Sequence, residues 1–116
     1  MEQKLKTSVA TLLAHIIKID KRDIEKEAPL FCKIMGRDFD CEPEEATRFL
    51  HTVMQDEYEY DLDEHLKIIN EALCNDQLSK MHIMEQLNHI IYSDKITERD
   101  YEEFERIKNV LFSCDQ

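Results

Sequence analysis

The chain predicts a single all-α, pseudo-symmetric domain of six to seven helices spanning residues 1–116, and three observations lead to it. Gly occurs once (Gly36) and Pro twice (Pro29, Pro43) in 116 residues, too few turn formers for a sheet built on tight hairpins. Leu, Ile, Glu, Lys and Met dominate the composition, and these residues favour helix. No segment of six residues or more alternates apolar and polar cleanly, the pattern a half-buried strand requires. The length fits one domain, and a 42% hydrophobic content supplies one core.

Leu5, Val9, Leu12, Leu13, Ile16 and Ile17 recur at helical spacing and predict a first helix over about Gln3 to Ile19. A polar turn, 20–23, follows. The second helix is expected from about Ile24 to Met35, with Gly36 as the residue just past its end. Pro29 fits either a late start, in the first turn, or a bend inside the helix. A third helix begins near Pro43, among acids that suit a helix N-terminus, and carries Ala46, Phe49, Leu50, Val53 and Met54 as its stripe. Asp61 or Asp63 caps a fourth, with Leu62, Leu66, Ile69 and Leu73 inward, and Asn75-Asp76 breaks it. The fifth covers about Gln77 to Tyr92, with Leu78, Met81, Met84, Leu87 and Ile91 along one side. Thr97 caps the sixth with Asp100 in capping-box position, and Tyr101, Phe104, Ile107, Val110 and Leu111 face the core.

The chain also repeats itself. Leu13-Ala14-His15-Ile16-Ile17-Lys18-Ile19-Asp20-Lys21 returns as Leu87-Asn88-His89-Ile90-Ile91-Tyr92-Ser93-Asp94-Lys95, with six of nine positions identical. Both copies continue in step with a gap of one residue: Asp20 is followed by Glu27, Phe31 and Ile34, and Asp94 by Asp100, Phe104 and Ile107. Self-similarity precedes any other fold reading. Two copies at opposite ends of a small chain indicate a pseudo-symmetric helical domain, in which symmetry can bring the two acidic turns together.

A formal net charge of −11 repels phosphate backbones and anionic lipid, which disfavours nucleic-acid and membrane partners. Cations and proteins with a basic surface are the natural partners, and a homo-oligomer stays open. The apolar run from Val9 to Ile17 is too short to span a bilayer and lacks the cleavage site of a signal peptide. Cys32, Cys41, Cys74 and Cys114 form no C-x-x-C and no zinc-ribbon spacing, so a reduced, cytoplasmic setting is expected. Cys32 and Cys74 fall in apolar helical patterns. Cys41 sits between Asp40 and Glu42, which raises a thiol's pKa. No G-x-S-x-G, P-loop or H-E-x-x-H occurs, and a non-enzymatic domain is expected.

The chemistry-bearing candidates are Asp20, Glu27, Asp94 and Asp100. Carboxylates flanking a helix–turn–helix make an oxygen-rich site suited to a divalent cation of the Ca²⁺ or Mg²⁺ class. The competing reading is that each acid serves a helix end. His15 and His89 precede their Asp by five residues, about 500° of helix rotation, and neighbour Ile residues; packed, hydrogen-bonded rings used alike in both copies are expected. His51, His65 and His82 read as surface or rim residues. Residues 56–64 hold six acids in nine. Counted from Asp56, the segment places Asp61 where a calcium loop needs Gly, so it reads as an acidic connection, with Tyr58 and Tyr60 as anchors for a basic partner.

The order leading Asp, short turn, Ile, acid, amphipathic helix resembles the hallmark of the TerB-like family, A-x-x-D-G-x-I-x-x-x-E. That family includes tellurite-resistance TerB and the central domain of the DjlA co-chaperones. Asp20 and Asp94 stand for its leading Asp, Glu27 and Asp100 for its terminal acid, and Ile24 and Ile96 stand near its Ile position. Lys21 and Lys95 stand where the motif has Gly, and the second copy is one residue shorter with Asp as its last acid. The resemblance runs from about Leu5 to Leu111. It implies an all-α domain with one motif near each end, a divalent metal held by Asp20, Glu27, Asp94 and Asp100, and a stress-linked scaffold or sensor. No His-Pro-Asp tripeptide is present, so no J-domain is expected.

Overall fold

The computed structural model describes residues 3–19, 23–55, 57–93 and 96–112. Six helices run in order: α1 (Gln3–Ile19), α2 (Ile24–Asp38), α3 (Pro43–Met54), α4 (Leu62–Ala72), α5 (Gln77–Tyr92) and α6 (Glu98–Leu111). Among the described residues there is no strand.

The central helix is α1. Ten of its seventeen residues are buried, and it packs against α2, α3, α4 and α5. Its stripe is wide enough for four neighbours because Ala10 and Ala14, both fully buried, extend it with small side chains beside Leu13 and Ile17. Two buried hydroxyls on this helix are satisfied locally: Thr11 Oγ1 donates to the Thr7 carbonyl at 2.8 Å, and Ser8 Oγ lies 3.0 Å from His65 Nδ1.

The second helix begins at Ile24, with Asp23 as N-cap accepting from the Glu25 N–H at 3.0 Å. Pro29 therefore lies inside it. The expected stop at Gly36 is not where the helix ends: it continues to Asp38 and is capped by Phe39. The left-handed backbone that Gly36 was expected to supply occurs at Asp40 instead, with φ 53°, a conformation Asp tolerates better than most residues. The Cys41 N–H then donates back to the Met35 carbonyl at 3.0 Å.

Asp61, not Asp63, caps α4, and α4 stops at Ala72 ahead of a turn that contains Leu73 and Cys74. Three positions expected to face inward are exposed. On α5, Leu78 and Met81 are exposed at 79% and 52%, while Lys80 and Gln86 are buried with Ile83, Leu87 and Ile90. Lys80 is drawn inward because its ammonium donates to the carbonyl of Leu111, and Asn70 Nδ2 donates to the carbonyl of Val110 at 2.7 Å. These donors satisfy orphan carbonyls at the C-terminus of α6 and meet the negative end of its dipole. On α6, Tyr101 is 63% exposed and Asp100 takes the inward place.

Candidate functional site

The two repeated turns differ less than their sequences suggest. Asp23 is the N-cap of α2 and Thr97 the N-cap of α6, so each cap follows its leading Asp by three residues. The one-residue gap between the copies thus lies inside the second helix. Glu27 falls in the fourth helical position and Asp100 in the third. That displacement, with one extra methylene, sends the two carboxylates to different partners. Asp100 completes a capping box: its Oδ2 accepts from the Thr97 N–H at 3.1 Å, and Thr97 Oγ1 accepts from the Asp100 N–H at 3.2 Å. Glu27 reaches across to the other copy, where Ser93 Oγ lies 2.9 and 2.8 Å from its two oxygens.

A second cross-contact matches the first. Arg99, on the first turn of α6, donates to the Ile19 carbonyl at 3.1 Å. Ile19 immediately precedes Asp20, as Ser93 immediately precedes Asp94. Each turn is therefore entered beside the second helix of the other copy. Asp20 and Asp94 themselves, with Lys21 and Lys95, lie outside the described residues.

Glu27 and Asp100 are buried to 1% and 0% exposure, an uncommon place for carboxylates. Both sit in the positive field of a helix N-terminus. Among the described residues, the hydrogen-bond count around Glu27 is lopsided. Ser93 has one hydroxyl proton, and three acceptors surround it: both Glu27 oxygens and the Ile90 carbonyl at 2.6 Å. The surplus lone pairs favour a cation there. Arg99 is exposed and brings a positive charge to the same junction. Among the described residues, no group of three or more His, Cys, Asp or Glu is placed to hold a metal ion.

The expectation that the repeated histidines act alike is corrected. His15 is part-buried between α1, α6 and the acidic connection, with Nδ1 2.7 Å from the Tyr60 hydroxyl and Nε2 2.7 Å from Glu103 Oε2. A carboxylate only accepts, so Nε2 carries the proton and, in the neutral ring, Nδ1 accepts from Tyr60. Burial lowers the His15 pKa despite Glu103. Burial opposes ionisation of Glu103, yet hydrogen bonds from Arg106 and His15 hold its carboxyl below the usual range. Arg106 extends the chain to Asp63 at 2.8 Å. His89 is exposed, and its hydrogen bond goes to Gln86 on its own helix.

Tyr60 is thus a half-buried partner of His15, stacked 5.8 Å from the exposed Tyr58. Sequence reading also missed Glu103; the only hint was its spacing of three from Arg106, which forms a helical pair. Of the rim histidines, His65 meets Ser8 and has its pKa lowered by burial, while His82 pairs with Asp38 at 3.3 Å. The Cys41 pKa is pushed up to about 11, chiefly by burial and then by Glu45, which accepts from its thiol. The direction is the one expected, but Asp40 and Glu42 are not the cause. Cys32 and Cys74 are only partly buried. No helix among the described residues is long and apolar enough to cross a membrane.

The family model described as tellurite resistance protein TerB matches residues 6–111, which take in both turns and all six helices. The chain belongs to the TerB family. Comparison with curated proteins and with solved structures finds no significant match. The TerB assignment agrees with the all-helical architecture and with one acidic turn near each end of the chain. The two family-motif acids that lie inside the described residues, Glu27 and Asp100, are the two most deeply buried carboxylates among them.

Proposed function

We propose that this TerB-family chain is a non-enzymatic, tellurite-resistance-type stress-response domain that binds a divalent cation of the Ca²⁺ or Mg²⁺ class where its two turns meet. Asp20, Glu27, Asp94 and Asp100 are the residues assigned to the cation. The observation that supports the reading is the pair of cross-contacts, Ser93 to Glu27 and Arg99 to Ile19, each of which ties the residue before one turn to the first turn of the other copy's second helix. The donor set is all oxygen, as hard cations require. Among the described residues Glu27 is buried beside more acceptors than donors, a setting that a bound cation relieves. The cation's role in this account is structural: it ties the α1–α2 and α5–α6 hairpins together, so that binding reports ion concentration as rigidity.

Calorimetric titration of chelator-stripped protein with Ca²⁺ and with Mg²⁺ tests the assignment. One cation is expected to bind with a stoichiometry of one. Glu27→Gln should abolish binding, while Arg99→Gln, which removes the nearby positive charge, should tighten it. Absence of heat and of any chemical-shift change with either ion would leave the acids as helix-end residues only.

A further inference from the structure

Among the described residues, five of the six exposed large hydrophobics belong to one hairpin: Leu78, Met81 and Tyr92 on α5, Ile96 in the connection, and Tyr101 on α6. Isolated exposed apolar residues are ordinary, but a patch of them marks an interaction surface. These do not lie at random. Met81, Glu85, Asn88 and Tyr92 are spaced i, i+4, i+7 and i+11 along α5, and Tyr101, Phe104, Lys108 and Phe112 are spaced i, i+3, i+7 and i+11 along α6, so each set shares one helix face. The helices pack as neighbours, and Met81, Met84, Phe104 and Phe112 line a groove of about 210 Å³ between them. The two faces that continue it, from Met81 to Tyr92 and from Tyr101 to Phe112, each advance eleven residues, about 16 Å at 1.5 Å per residue. A three-turn helix has that length.

We propose that the α5–α6 groove docks an amphipathic helix of another protein, apolar on the side that enters the groove and Lys- or Arg-rich on the other. Helix-in-groove recognition uses anchors spaced as these faces are. Charge selects the occupant. Glu85 lines the groove together with Lys108, Glu105 follows the groove-lining Phe104 and accepts from the Tyr101 hydroxyl, and the whole chain carries −11. A second copy of the chain would bring the same negative charge and is repelled, whereas a basic helix is attracted and held in register.

The test does not depend on the cation reading, because it is run with the full chain in chelator. The probe is a fluorescein-labelled synthetic helix of about four turns, made of Leu on one face and Lys on the other. The control replaces each Leu by Ser and keeps the charge. The Leu/Lys helix is expected to bind at least about tenfold tighter than the Ser/Lys control, with amide shifts confined to α5 and α6. Met81→Glu/Tyr101→Glu should weaken it at least about tenfold, although two more negative charges would strengthen a purely coulombic contact. Both positions are exposed, so the variant is expected to fold; Leu78→Gln/Met81→Gln serves as the uncharged check and should weaken binding in the same direction. Equal binding of the Ser/Lys control, or unchanged or tighter binding by the glutamate variant, would overturn the proposal. A dimer of the free chain that Met81→Glu/Tyr101→Glu dissociates, seen by sedimentation, would also overturn it in favour of a second copy.

Discussion

Replacing Ser93 by Ala isolates the contact that joins the two turns. The hydroxyl is the described donor to Glu27, whose carboxylate is 1% exposed, so water cannot readily replace it. A hydrogen bond to a charged group contributes about 1.5–3 kcal/mol. Unfolding entropy near the midpoint is about 2.1 cal/mol/K per residue, or about 0.24 kcal/mol/K for a chain of this length, so each kcal/mol moves Tm by about 4 °C. Ser93→Ala should therefore lower Tm by about 6–12 °C in chelator, read by circular dichroism at low salt. The penalty should shrink in Glu27→Gln, which has no charge to strand, giving a coupling energy of about 1 kcal/mol or more in a double-mutant cycle. A Tm within about 2 °C of wild type, or a penalty as large in the Glu27→Gln background, would refute the claim that this contact holds the turns together.

Gly36 lies inside α2, and an added Cβ would meet only the Cys41 carbonyl oxygen, at an ordinary contact distance of 3.5 Å; Gly36→Ala should stabilise by about 0.5–1 kcal/mol in a denaturant titration. Leu78→Gln should leave stability within about 0.5 kcal/mol, whereas Ile83→Ala should cost about 2–5 kcal/mol, because the first side chain is exposed and the second is not. The His15 pKa is lowered from 6.5 in the folded chain, so the unfolded chain takes up the proton first; the contribution is full above that pH and is lost as pH falls from there through the folded value. Urea midpoints should accordingly fall between neutral pH and about pH 5, and His15→Asn should flatten that slope. His65, lowered in the same direction, should supply most of what remains.

Much of the fold is legible in the chain because its helices announce themselves by period and cap. Thr97 and Asp100 form the capping box their spacing predicts, Pro43 opens α3, and α1 and α5 have the bounds that their apolar patterns indicate. The failures share a cause: each depends on a partner distant in sequence. Leu78 and Met81 fit the helical period as well as Lys80 does not, yet the α6 C-terminus needs a donor and Lys80 supplies it. Tyr101 fits an inward stripe, but that slot in the first turn of α6 holds Asp100, as the equivalent slot of α2 holds Glu27. Gly36 resembles a stop signal, while the chain reverses only at Asp40.

The candidate site divides in the same way. Its four acids are readable from the repeat, since each copy marks the other. The ties between copies are not, because each is made by residues that the repeat does not keep identical: Ile19 stands where Ser93 does, and Lys26 where the start of α6 has Arg99. The His15 network was hidden for a related reason. Internal repetition suggested equal roles for His15 and His89, but only the first has Tyr60 and Glu103 across from it.

The central claim is that the two repeated turns form one cation site. Melting curves of chelator-stripped protein, with and without Ca²⁺, Mg²⁺, Mn²⁺ and Zn²⁺ at matched ionic strength, test it against Asp20→Asn/Asp94→Asn. A cation at a hundred times its dissociation constant adds about 2.7 kcal/mol when it binds the folded state alone, equivalent here to about 11 °C. The account predicts that rise in wild type with one of these ions and its loss in the double variant. No rise with any ion, or an equal rise in both proteins, would contradict it.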